Sequence, residues 1–272
     1  MNRPSAPDVP PELAAATARG GVLAVDKPEG PTSHDVVAAS RRALRTRQVG
    51  HTGTLDPFAS GLLLVCFGPA TRLAEYLTPL PKTYRATMRL GEATDTDDLT
   101  GETVSRSEEW GALTEERIRE ALGRQVGEIE QLPPIFSAKK VGGERMYAAA
   151  RRGEAVERRP ARVVVHRIEV LSMRLPEVEF EVECGSGTYI RAIARDAGEA
   201  LGVGGHLTAL RRTRTGPYSV EAAVPLDALG DTERVLAATL PPAGAVSHLP
   251  RVSIGESGAA DVRHGRALAA PD

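Results

Sequence analysis

Residues 178–184 alternate apolar and acidic without a break. Val178, Phe180, Val182 and Cys184 fall on one side, Glu179, Glu181 and Glu183 on the other. A period of two marks a strand with one face buried and the other in water. Lys82–Leu90 repeats the pattern, with Tyr84, Ala86, Met88 and Leu90 opposed to Arg85, Thr87 and Arg89. Residues 163–173 also read as a strand, and the join Leu175-Pro176-Glu177 suits a hairpin, hence antiparallel pairing. Further strands are expected at 21–26 and 62–67. Helices are expected from Thr32 or Ser33 to about Arg45, and at 70–77, 114–125 and 144–152, the last ending at Gly153. Another follows Thr188 with the stripe Ile190, Ile193, Ala194, Ala197 and Leu201. Strands in runs, without regular βαβ alternation, predict an α+β fold around a mostly antiparallel or mixed sheet with flanking helices.

Residues 50–64, GHTGTLDPFASGLLL, set a Gly- and Pro-rich loop against an apolar run. This predicts a tight turn feeding a buried strand, with the carboxylate of Asp56 at the edge of the core. An aspartate there either caps its own turn or carries chemistry. No second carboxylate at a spacing that by itself suggests a glycosidase pair, no Ser/His/Asp order and no GxxxxGK[ST] loop accompanies it. A lone reactive Asp must stay ionised while shielded from water, which calls for a nearby cation that lowers its pKa. Arg191, in the first turn after Gly185-Ser186-Gly187-Thr188, is the candidate. Tyr84 and Tyr189 lie beside basic residues and suit either the core or stacking on a nucleobase. His51, between glycines 50 and 53, can order the loop or approach a ligand.

The net charge of −2 disfavours a polyanion partner only until its distribution is seen. Residues 139–167 carry nine Lys or Arg and three Glu, a local +6, while Asp95, Asp97, Asp98 and Glu102 gather in an acidic, turn-rich stretch. On the helix after Thr32, Arg41, Arg42 and Arg45 share one stripe. A basic face on a near-neutral chain fits a polyanion partner. Two cysteines far apart, Cys66 and Cys184, make neither a disulfide framework nor a metal-ligand spacing, and no HxH or HExxH occurs. No metal is expected, nor any membrane span or secretory signal.

Taken in order, residues 25–37 (VDKPEGPTSHDVV), 50–63 (GHTGTLDPFASGLL), 82–98 (KTYRATMRLGEATDTDD), 133–153 (PPIFSAKKVGGERMYAAARRG), 184–198 (CGSGTYIRAIARDAG) and 204–216 (GGHLTALRRTRTG) resemble the TruB family of tRNA pseudouridine synthases. The resemblance covers about residues 21–230. It implies a cofactor-free isomerisation of uridine 55 in the T loop of tRNA. A monomeric cytoplasmic enzyme with no obligate protein partner is expected. The resemblance places the catalytic aspartate at Asp56, its arginine partner at Arg191 and a base-stacking residue with a part in proton transfer at Tyr84. Tyr189 and Leu210 match base contacts, His51 the histidine that fills the space left by the flipped nucleotide, and Lys27-Pro28 a support behind the stacking tyrosine. Asp56 acts as nucleophile or as base. Arg41, Arg42, Arg45, Lys139, Arg145, Arg151, Arg152, Arg211 and Arg212 are expected on the RNA backbone. The implied organisation is a disordered leader (1–20), a catalytic domain (21–239) with an RNA-gripping insertion at about 131–153, and a linker with a partial PUA-like segment (240–272). An RNA-folding factor without chemistry, an aspartate-dependent hydrolase and a guide-directed enzyme are the alternatives.

Overall fold

Where apolar residues alternate or run together, strands form. The computed structural model describes residues 9–135, 140–141, 144–145 and 158–268. Its main sheet contains Gly21–Lys27 (β1), Val49–His51 (β2), Ser60–Phe67 (β3), Lys82–Leu90 (β4), Gly127–Gln131 (β5), Ala161–Arg174 (β6), Glu177–Cys184 (β7) and Gly205–Thr215 (β8). The order across it is β1, β3, β8, β4, β7, β6, β5, with Val224–Pro225 outside β1 and β2 beside β3. Pairing is antiparallel except for β8 on β3 and Val224–Pro225 on β1. The α+β fold with a mostly antiparallel, mixed sheet is therefore as expected.

Two kinds of strand reflect two environments. On β7 the residues Val178, Phe180 and Val182 are fully buried and pack with Ile118 and Leu122 of helix Glu115–Gly123 and with Ile193 and Ala197 of helix Ile190–Ala200. Its opposite face pairs Glu179 with Arg85 and Glu181 with Arg167 near solvent. Exposed ladders of this kind contribute little, so burial of the apolar face is what holds the strand. By contrast β3 is enclosed on both faces. Leu63, Val65 and Phe67 meet Val36 and Leu44, whereas Leu62, Leu64 and Cys66 meet Leu77 and Val220. That explains a continuous apolar run where alternation would otherwise be expected.

Three expectations need correction. Residues 11–19, placed in a disordered leader, form the helix Pro11–Arg19. Leu13 and Ala16 make a narrow buried stripe on it, and the Thr17 hydroxyl donates to the carbonyls of Leu13 and Leu44. The helix expected at 70–77 is a 3-10 turn over Gly68–Leu73 followed by one α turn, Ala74–Leu77. At the start of the helix expected over 144–152, Glu144–Arg145 is extended and pairs with Lys140–Val141; the remainder lies outside the described residues. Towards the C-terminus a short helix, Glu256–Arg263, buries none of its residues.

Phe180→Ala should lower the unfolding free energy by about 3–5 kcal/mol, the usual cost of a large cavity in a packed core. Glu181→Ala, on the solvent face of the same strand, should change it by less than about 1 kcal/mol. Urea unfolding followed by circular dichroism measures both.

Candidate active site

The loop bearing Asp56 is fastened on both sides of that residue. Helix Ser33–Ala43 begins at a capping box, with Thr32 and Asp35 satisfying each other's backbone N–H groups. Its first residue, Ser33, is buried, and its hydroxyl accepts from Leu55 N–H at 2.8 Å while donating to Leu55 O at 3.0 Å. On the other flank, Pro57 O accepts from Gly30 N–H at 2.8 Å and from Lys27 Nζ at 3.4 Å. The Lys27 ammonium also donates to Pro28 O and Pro31 O at 2.8 Å each. Burial pushes that ammonium down to about 8. Lys27 is wholly enclosed, so it braces the aspartate loop from behind, in keeping with a supporting role and not with contact to a substrate.

Asp56 meets Arg191 as the chain pattern suggests, with Arg191 Nε 3.0 Å from Asp56 Oδ2. The partner that sequence reasoning missed is Asp98. Arg191 Nη1 donates to Asp98 Oδ2 at 3.1 Å and to Thr96 O at 2.8 Å. Asp98 is 3% exposed, and its carboxylate also accepts from the Thr96 hydroxyl and from the N–H and hydroxyl of Thr100. One helical turn on, Arg195 donates to Asp97 Oδ2 and Leu132 O, both at 2.9 Å. The acidic stretch thus turns inward to hold two arginines. Arg191 and Arg195, four residues apart opposite the adjacent Asp97 and Asp98, were the available signal.

Burial pushes the Asp56 carboxyl above its ordinary value, with Arg191 and Lys27 drawing it back and Asp98 adding to the rise. The arginine therefore does not produce the expected net lowering. Asp56 keeps 35% of its side-chain surface open, but onto a pocket rather than bulk water, so desolvation still dominates.

That pocket encloses about 470 Å³ and is lined by Asp56, Arg191, Tyr84, Tyr189, Leu210 and Arg212 among others. Tyr84 is 8% exposed, and burial pushes its phenol upward, so it stays protonated at neutral pH. Gln131, itself buried, grips the Tyr189 backbone in both directions, at 3.0 and 3.2 Å. The room and lining suit a planar ring between aromatic and aliphatic walls with a carboxylate beneath it. His51 does not line the pocket. Its Nδ1 accepts from Gly53 N–H at 3.3 Å, and its ring stands edge-on to His34 at 6.1 Å. Among the described residues no group of three or more His, Cys, Asp or Glu is arranged to hold a metal, and no helix is long and apolar enough to cross a membrane.

The basic residues divide. Arg41, Arg42 and Arg45 are exposed, and Arg42 and Arg45 line a separate surface groove. Arg211 is half-exposed and bound to both oxygens of Asp26, at 3.1 and 2.7 Å. Arg212, expected on the RNA backbone, is buried, with its guanidinium donating to three backbone carbonyls. Lys139, Arg151 and Arg152 lie outside the described residues, and Arg145 is described in its backbone alone. Removing the second carboxylate by Asp98→Asn should let Asp56 take the whole of the Arg191 charge. The Asp56 carboxyl should then titrate at lower pH, because a neighbouring like charge that disfavoured its ionised form is gone. Carbon-13 NMR titration of the aspartate carboxyls reads that shift.

Comparison with known proteins follows the same lines. The profile of the TruB family pseudouridylate synthase (N terminal domain) matches residues 41–190, and that of the tRNA pseudouridylate synthase B C-terminal domain matches residues 191–246. The tRNA pseudouridine synthase B of Mycobacterium sp. (strain KMS) is 49% identical over 261 residues, covering 94% of this chain and 87% of that protein. The protein of the same name from Symbiobacterium thermophilum is 48% identical over 258 residues, covering 94% and 85%. Among solved structures, a Cbf5-Nop10-Gar1 complex contains a chain that superposes with a TM-score of 0.71 at 35% identity, covering 97% of this chain and 73% of that one. An H/ACA RNP bound to a substrate RNA containing 2'-deoxyuridine gives 0.71 at 32% identity, covering 96% and 74%. With both profiles matched in sequence and the sheet shared with solved relatives, the chain belongs to the TruB family of pseudouridylate synthases, enzymes that form pseudouridine in RNA.

Proposed function

We propose that this protein converts uridine 55 in the T loop of tRNA to pseudouridine, acting as a single chain and without a cofactor. The observation that carries the proposal is the Asp56 carboxylate held 3.0 Å from Arg191 beside a pocket walled by Tyr84, Tyr189 and Leu210. The names of the bacterial relatives support tRNA as the RNA. A uridine stacked within its loop cannot reach such a site, so it must be flipped out. That costs a few kcal/mol and calls for an aromatic receptacle. Tyr84 supplies a ring for the base to stack on, Tyr189 and Leu210 close around it, and His51 occupies the place the nucleotide leaves.

The isomerisation breaks the bond from uracil N1 to the ribose C1′ and forms one from C5 to C1′. The proton lost at C5 balances the one gained at N1, so no electrons enter or leave. The Asp56 carboxylate serves the sugar, either by bonding to C1′ as nucleophile or by accepting a ribose proton as base. Both roles require its ionised form. Arg191 neutralises that charge in a site largely shielded from water, and Asp98 keeps Arg191 aimed. Tyr84, kept as a neutral phenol, can stack and can donate a hydrogen bond or proton. Arg41, Arg42 and Arg45 offer phosphate contacts, which give orientation and salt dependence.

On unmodified tRNA transcript, mass spectrometry should find pseudouridine at position 55 with the wild-type protein. With Asp56→Asn the rate should fall by about 10³-fold or more, as for loss of a principal catalytic group, with tRNA affinity retained. Tight binding without pseudouridine from either protein would leave an RNA-folding factor.

Single-turnover rates should also decline on acidification. The active form is the carboxylate, and its raised pKa sets the acid limb above the ordinary aspartate value of about 3.9. An acid limb at or below that value would contradict this electrostatic account.

A further inference from the structure

Arg212 is the side chain that touches both halves of the pocket, and none of the chemical steps above uses it. It lies in β8, between β3 and β4. Its backbone pairs with Gly61 on one side and Tyr84 on the other. The approach to β3 is so close that Gly61, at φ +105, could carry no side chain: a Cβ would stand 2.2 Å from Arg212 O. From there the guanidinium reaches three carbonyls. Nε donates to Leu62 O at 2.6 Å, Nη2 to Gly53 O at 3.1 Å and Nη1 to Thr54 O at 3.5 Å. These residues stand just before and just after the Asp56 turn. The same guanidinium lies 5.9 Å from the centre of the Tyr84 ring.

Holding strands together does not account for this arrangement. Arg212 is 2% exposed, and among the described residues no carboxylate forms an ion pair with it. Its charge adds to burial in pushing the ammonium groups of Lys82 and Lys27, both cations, down to about 8. A buried guanidinium among like charges is destabilising, and an apolar side chain of similar volume would serve the sheet better. What an apolar side chain cannot do is bind Gly53, Thr54 and Leu62 at once while facing an aromatic ring. A planar fork of five donors can.

We infer that Arg212 is a positioning residue for pseudouridine formation, fixing the Asp56 loop relative to the Tyr84 ring so that a base stacked on the ring presents its sugar to the carboxylate. The inference rests on the roles proposed above for Asp56 and Tyr84. An error of 1 Å in such a separation is enough to cost about 10²-fold in rate. Lysine at this place keeps the charge but offers a single ammonium, which cannot span the same set of partners. Glutamine keeps a planar donor group without the charge.

The test is single-turnover kinetics at saturating enzyme on tRNA transcript, for Arg212→Lys and Arg212→Gln beside wild type and Asp56→Asn. In such traces the amplitude reports the fraction of folded, competent enzyme, whereas the rate constant reports how well that fraction performs. Both Arg212 variants should show rate constants about 10²-fold lower, with tRNA Kd within about threefold of wild type. Wild-type rate constants with reduced amplitudes would overturn the inference, since Arg212 would then only support folding. A raised Kd with an unchanged saturating rate would also overturn it and return Arg212 to RNA binding. An active Asp56→Asn would instead sink the reading beneath it, whatever the Arg212 variants do.

Discussion

A guanidinium held between two carboxylates is the contact on which the rest of the site depends. Arg191 bridges Asp56, on the loop before β3, and Asp98, on the turn after β4, from the first turn of helix Ile190–Ala200. Three separate stretches of chain are joined at one charge. Such a buried cluster is weak evidence for stability, because desolvation offsets much of the attraction. It is good evidence for orientation: Nη1 is taken by Asp98 and Thr96 O, while Nε stands 3.0 Å from Asp56. Asp98 thus connects to Asp56 through Arg191 without lining the pocket. Tyr189 gains a similar fixity from Gln131, whose amide satisfies both backbone groups of that residue.

Elements with one buried face were legible from sequence because their periodicity is imposed by water on one side. Strands β4 and β7 and helix Ile190–Ala200 show this directly. Less legible was β8, a central strand carrying Arg211, Arg212 and Arg214. Charges at such density read as a surface, and only Arg212's buried carbonyl partners make one of them compatible with the interior. Strand β5, with Ile129 alone among polar neighbours, gave no alternation to detect, and the helix Pro11–Arg19 hid its Leu13 and Ala16 stripe in a Pro- and Ala-rich context.

The site divides in the same way. Asp56, Tyr84, Tyr189, Arg191 and Leu210 converge on one pocket, as their motifs implied. Arg212 was expected on the RNA backbone, yet like Lys27 it is enclosed and donates to backbone carbonyls. Charge alone does not distinguish a phosphate ligand from a cation that shapes a loop. Asp98 escaped notice because an acidic, threonine-rich turn looks solvated, and its role exists only once helix Ile190–Ala200 lies against it.

The sheet order has a consequence for how this chain is made. Strand β8 lies between β3 and β4, although some 115 residues separate it from the end of β4, and it carries Leu210 and Arg212. As the chain leaves the ribosome, β4, β6 and β7 can pair with one another first, and β1 can pair with β3. These are two local sheets with nothing between them. Only when β8 emerges does it bridge them, bringing Asp56 opposite Tyr84. A nascent chain therefore cannot assemble the pocket until at least about four fifths of it has been synthesised, and the long loop closure makes that insertion the expected slow step of folding.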